Sequence, residues 1–166
     1  MKATIAKDFH WEMGHRLPYH DGGCQNIHGH SYSMRVEVSG EIDTRGMVID
    51  YFDLKRAVMP IIDMLDHSFL CSDSDTAMIE FFEKHPMKVK VVSFHSTAEN
   101  IALMILSEIT PIIRQFPNVE TLSVRDRELA TLTNAFRRAR SGQGSVWLLG
   151  GESGVGKSRL VDELRT

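Results

Sequence analysis

Long apolar runs are missing from this 166-residue sequence. No stretch approaches the 18 or so residues needed to cross a bilayer, and the amino terminus carries no signal-peptide pattern. Cysteine is scarce: Cys24 and Cys71 are the only two, too few for a disulfide framework, so a reducing, cytoplasmic setting is expected. A strong charge of one sign is absent as well, the formal net charge being -3. Basic residues are scattered except for Arg137, Arg138 and Arg140, which argues against nucleic acid or an anionic membrane as a partner. Small molecules are the expected partners. With 42% hydrophobic and 25% charged residues, the chain can build one ordinary globular core and carry a short appendage.

Histidine, by contrast, is abundant and unevenly placed. Of the eight histidines, His10, His15, His20, His28 and His30 fall within the first thirty residues. Residues 2–14 mix β-branched and aromatic residues with polar ones, and Tyr32 to Val38 alternates apolar with polar, as a half-buried strand does. The two segments are expected to form a long antiparallel pair. Between them runs a loop of turn formers, with Asp21 and the adjacent Gly22 and Gly23, that offers no core face. Asp53 can cap a helix whose apolar positions Leu54, Ala57, Val58, Ile61, Ile62 and Leu65 follow helical spacing, with Pro60 as a candidate bend. A shorter helix is expected from Asp75 to Lys84, a strand from Lys88 to Phe94, a helix capped by Ser96 or Thr97 running to about Arg114, and a strand over 119–124. That order implies an α+β fold, an antiparallel sheet with helices on one face.

The densest chemistry lies in Cys24, His28, Gly29 and His30. Two histidines spaced by two on an extended chain point to the same side and can share one ion. His15, at the end of the opposite strand, is the candidate third ligand. Three neutral imidazoles with an open fourth position are the pattern of catalytic zinc, Zn2+ being the expected metal. A thiol beside a cation ionises more readily, which makes Cys24 a candidate base or nucleophile, or else a fourth ligand. Asp66 and His67 end the first helix, where they are either a simple cap or an acid–base pair. Thr97 to Asn100 reads first as a helix start, with Glu99 in the first turn.

In combination, His15 within MGHRL, the Cys24–His28–His30 group, Gly46 to Tyr51 with Lys55, Leu65-Asp66-His67 and Thr97-Ala98-Glu99-Asn100 resemble the tetrahydropterin synthase family. The resemblance covers residues 1–124 and is nearest to the bacterial queuosine-pathway branch, whose enzymes make 6-carboxy-tetrahydropterin. It implies a tunnelling fold (T-fold) in which sheets of several subunits join into a barrel, a homo-oligomer (a hexamer by resemblance) with active sites at subunit interfaces. It implies 7,8-dihydroneopterin triphosphate as the substrate, zinc on His15, His28 and His30, and Cys24, Asp66 and His67 as catalytic acid–base groups. Thr97 and Glu99 would lie near the pterin. Family members end the last strand with a Glu-Thr pair that anchors the pterin ring; here Val124-Arg125-Asp126-Arg127 stands in its place, and Asp126 is the expected substitute. From Arg125 to Thr166 the sequence resembles the opening of a P-loop ATPase: a charged helix, an apolar strand, and Gly151, Gly156, Lys157 and Ser158 in the G-x-x-x-x-G-K-S spacing that cradles phosphates. The expected division is therefore 1–124 and 125–166.

Overall fold

The computed structural model describes residues 1–126, with side chains through Val124. The expected helix, apolar strand and P-loop of the tail lie outside the described residues. Strands β1 (Lys2–His15) and β2 (His28–Glu41) pair antiparallel along their whole length, from Lys2 opposite Glu41 to His15 opposite His28. Alternation decides which side faces the core: Phe9, Trp11 and Met13 of β1 are buried together with Met34, Val36 and Val38 of β2. Directly opposed residues of an antiparallel pair share a face.

Helix α1 (Tyr51–Leu65) buries the six apolar positions expected of it, Leu54 to Leu65. Its cap, however, is Asp50, whose side chain accepts from the Phe52 amide, and Asp53 sits in the first turn paired with Arg56. The chain enters the helix three residues earlier than the apolar periodicity implies because an acidic N-cap was available just upstream. Helix α2 (Thr76–Lys84) is capped by Asp75, and α3 (Ala98–Ile113) by Thr97. Ile101, Ile105, Ile109 and Ile113 of α3 join the α1 stripe in one core against the sheet.

The α+β layer expected from the sequence is the one observed, and its five-stranded sheet runs β4-β3-β1-β2-β5. Two strands run parallel to β1 rather than antiparallel to their neighbours. The short β3 (Ser68–Ser72) runs parallel to β1 opposite Met13–His15, and β4 (Val89–Val92) runs parallel to β3. Parallel neighbours need a crossover, and α2 supplies the one between β3 and β4. Strand β3 escapes sequence reading because it is a five-residue, almost continuously buried run with no alternation. Its Leu70 joins the α1 and α3 core, whereas Phe69 points the other way, with its ring centroid 5.2 Å from that of Phe82 in α2. Strand β5 (Val119–Asp126) pairs antiparallel with β2, with a register shift at Ser39 and Gly40. Gly40 permits that close approach, since a Cβ there would lie 2.0 Å from the Asn118 carbonyl oxygen.

Candidate metal centre and active site

The central hairpin carries its core face past Trp11 and Met13 to a cluster of imidazoles. His15 lies opposite His28, and Met13 opposite His30, so all three histidine side chains leave the sheet on the face that carries Trp11 and Tyr32. Their nearest ring nitrogens all lie within 4.8 Å of one another, and among the described residues this is the group suited to hold a metal ion. Cys24 is not in it.

Hydrogen bonds settle which nitrogens face inward. His15 Nδ1 lies 2.8 Å from the Ser96 carbonyl oxygen, and His28 Nδ1 lies 2.8 Å from that of Asn26. A carbonyl only accepts, so each ring carries its proton on Nδ1 and presents the Nε2 lone pair to the cluster. Both Nε2 atoms are buried and have no hydrogen-bond partner. Orphaned, inward-facing acceptors on neutral imidazoles, each oriented by a carbonyl behind it, are what a bound divalent cation satisfies. The residues fit zinc.

Burial, reinforced by the nearby His28 and His30, pushes the His15 imidazole down from 6.5 to about 4. Its folded value lies below its unfolded one, so between those pH values the unfolded chain takes up a proton that the folded chain refuses. Stability should fall as pH is lowered from 6.5 towards 4, by about 1.4 kcal/mol per unit from this group. Urea unfolding of metal-free protein at pH 7 and pH 4.5, against His15→Gln, checks this. The variant should show the shallower loss.

The Asp66–His67 pair is built differently. Asp66 ends α1 and accepts from the Glu12 amide at 2.9 Å and from His67 Nδ1 at 2.8 Å. Those two bonds, the Glu12 amide first, hold its carboxyl below the usual range. His67 adopts φ 53, a left-handed conformation unusual outside glycine, and its amide donates to the Glu12 carbonyl. Lys88 Nζ donates to the Asp63 and Asp66 carbonyls at the end of α1. A strained turn pinned by Glu12 of β1 and by Lys88, just ahead of β4, thus offers an exposed imidazole oriented by a carboxylate.

His67 and Ser68 rim a cavity of about 320 Å3 that is lined by residues 12–14 of β1 and 29–31 of β2, His30 included. Glu12 lies opposite Ser31, and Gly14 opposite Gly29, so their side chains leave the sheet on the face away from the histidine cluster. The paired glycines add no side chain of their own to that face; a Cβ on Gly14 would sit 3.2 Å from the Phe69 ring, and one on Gly29 3.3 Å from the Met13 carbonyl oxygen. Within one subunit the structure therefore gathers His15, His28 and His30 on one face and sets His67 beside a cavity on the other. Cys24 stands half-buried on a single 3-10 turn, Gly23–Gln25, and its carbonyl accepts from the Leu17 amide. The Thr97 side chain is engaged in capping α3, accepting from the Asn100 amide at 3.3 Å, and Glu99 is exposed in the first turn. The Asp126 backbone pairs with Met34 at the end of β5. Sequence reasoning overlooked Asn26, whose role runs through a carbonyl group that any residue could supply, Ser96, whose carbonyl and hydroxyl both reach His15, and Glu12, which holds both Asp66 and His67 by its backbone.

A hairpin-centred α+β layer that ends in three convergent imidazoles, beside an oriented Asp–His pair, defines a candidate metalloenzyme of the tunnelling-fold type. Residues 4–138 match the 6-pyruvoyl tetrahydropterin synthase family, and the chain belongs to that family, a family of enzymes. Residues 121–166 match the AAA ATPase domain family. The chain is similar to a 6-carboxy-5,6,7,8-tetrahydropterin synthase of Haemophilus influenzae, 39% identical over 113 residues that span 63% of this chain and 80% of the relative. A protein of the same name from Aquifex aeolicus is 35% identical over 122 residues, 61% of this chain and 75% of its own. Among solved structures, the fold resembles the 6-pyruvoyl tetrahydropterin synthase of Plasmodium falciparum, with a TM-score of 0.59 at 16% identity over 74% of this chain and 89% of that one. The Caenorhabditis elegans synthase gives a TM-score of 0.54 at 24% identity, covering 76% and 89%. Among the described residues no helix is long and apolar enough to cross a membrane.

Proposed function

We propose that this chain is a zinc-dependent lyase that converts 7,8-dihydroneopterin triphosphate to 6-carboxy-tetrahydropterin, or to the 6-pyruvoyl compound, with loss of triphosphate and, for the 6-carboxy product, uptake of water and release of the other two side-chain carbons as acetaldehyde. The observation that carries the reading is the pair of buried, unpartnered Nε2 atoms of His15 and His28, in the same cluster as His30. The names of the Haemophilus and Aquifex relatives support the 6-carboxy product.

A zinc ion held by His15, His28 and His30 would supply Lewis-acid stabilisation of the oxyanion that develops on the substrate side chain. Cys24, on the turn between the two ligand strands, takes the proton from the neighbouring carbon. Asp66 stays ionised and fixes the His67 ring, which exchanges protons on the opposite side of the substrate. Thr97, Glu99 and Asp126 are assigned to the pterin end, Asp126 standing where the family carries its anchoring carboxylate. The opposite-facing placement of His67 and the three histidines supports a homo-oligomer in which His67 of one copy serves the metal centre of another. Residues 1–124 are assigned to the synthase unit and residues 125–166 to a P-loop ATPase-like segment; the AAA ATPase match from residue 121 onward supports the division, and the synthase match overlaps it as far as residue 138.

Zinc-loaded protein incubated anaerobically with 7,8-dihydroneopterin triphosphate should release triphosphate and a 6-carboxy- or 6-pyruvoyl-tetrahydropterin, identified by mass spectrometry. Bound zinc without any pterin product would reduce the chain to a binding scaffold.

A further inference from the structure

The two histidines whose outer hydrogen bonds are described above are not held alike. His28 Nδ1 meets one acceptor, the Asn26 carbonyl on an exposed stretch of loop. His15 Nδ1 meets two on one residue: the Ser96 carbonyl at 2.8 Å and the Ser96 hydroxyl at 3.1 Å. Ser96 is 1% exposed, among the most deeply buried polar residues described. Its hydroxyl also lies 3.3 Å from the Arg16 carbonyl, to which it donates. With that proton committed, the lone pairs of Oγ face His15, and both Ser96 oxygens act as acceptors for one N–H.

The support behind this contact is rigid on both sides. Ser96 directly precedes Thr97, the cap of α3, whose amide closes a tight turn onto the His95 carbonyl at 2.7 Å. Arg16, next in sequence to His15, is forked onto Asp75 through Nε and Nη2 at 2.6 and 2.5 Å, and Asp75 in turn caps α2. Ser96 therefore joins the start of α3 to the end of β1 at the position of a metal ligand.

We propose that Ser96 is a positioning residue for the metal centre: its carbonyl and hydroxyl clamp His15 in the Nδ1–H tautomer and aim Nε2 at the ion, which tunes metal affinity. The inference rests on the metal reading above but concerns a residue outside the ligand set. Outer-shell hydrogen bonds to ligating histidines are typically worth roughly 10- to 100-fold in affinity. Because Ser96→Ala keeps the carbonyl, the low end applies.

Zinc competition against a chromophoric chelator and the visible spectrum of the cobalt-substituted protein test this on the full chain. Ser96→Ala should bind about tenfold more weakly and shift the cobalt bands, and Ser96→Thr, which restores the hydroxyl, should recover both. Ser68→Ala removes another buried serine hydroxyl, one bonded to the Leu65 carbonyl at 2.6 Å, and should leave both readouts unchanged. Wild-type affinity and spectrum in Ser96→Ala, or an equal loss in Ser68→Ala, would overturn the clamp. Histidine nitrogen spectra of the wild type give a check that needs no variant: His15 must be protonated at Nδ1, and an Nε2–H tautomer in the metal-free protein refutes the proposal. A wild-type protein that takes up neither zinc nor cobalt defeats the metal reading itself, a result separable from the others.

Discussion

Zinc retention should collapse in His28→Ala, and turnover with it, while the fold survives. His28 stands at the first position of β2, half-buried, so truncating its ring removes little packing. What is lost is one of three convergent nitrogens. Two imidazoles make a much poorer site than three, so the drop in affinity should exceed the roughly 10- to 100-fold that loss of an outer hydrogen bond brings. The metal-free variant should even resist acid slightly better than the wild type, because the proximity of His28 is one of the forces that lower the His15 imidazole. Metal analysis after dialysis against a weak chelator, alongside circular dichroism, separates these effects. Stripping the wild type with a strong chelator should likewise abolish product formation, and added zinc should restore it. A His28→Ala protein that keeps one tight equivalent of zinc would disprove the three-histidine centre.

That site was legible because the two structural requirements behind it are periodic. Spacing by two on a strand fixes a shared side for His28 and His30, and an antiparallel partner brings His15 opposite His28. Helices α1, α2 and α3 were legible for the same reason, through apolar stripes and capping side chains. What escaped notice was set by tertiary context. Strand β3 is too short and too uniformly buried to show a period, and its parallel pairing with β1 depends on how α1 packs. Nothing in the sequence around Asp66 and His67 announces that His67 comes to rim the cavity beside Glu12 and Ser31. That follows from backbone bonds to Glu12, and a backbone group leaves no mark in residue type. Ser96 read only as a possible helix cap. Thr97 took that role, and the burial of Ser96 against His15 came from the docking of α3 beside β1.

The division of the chemistry between two faces leads to the second large effect. Cys24→Ala should lower kcat by on the order of 100- to 10,000-fold, the usual contribution of a positioned general base, with zinc content unchanged because Cys24 lies outside the ligand cluster. His67→Ala should cause a loss in the same range, since it removes the partner proton-transfer group and strands the Asp66 carboxylate. Neither variant alone reports where its partner group comes from. If Cys24 and His67 of one copy served the same site, mixing the two inactive proteins could never produce a complete centre. If His67 comes from a neighbouring copy, unfolding and refolding the variants together at equal amounts should yield about a quarter of the sites with both groups intact, given random assembly of a symmetric oligomer. Activity should therefore return in the mixture to about that fraction of the wild-type value. A mixture that stays as inactive as its components, despite exchanging subunits, would place both groups in one subunit and require a local movement to bring the His67 face to the metal.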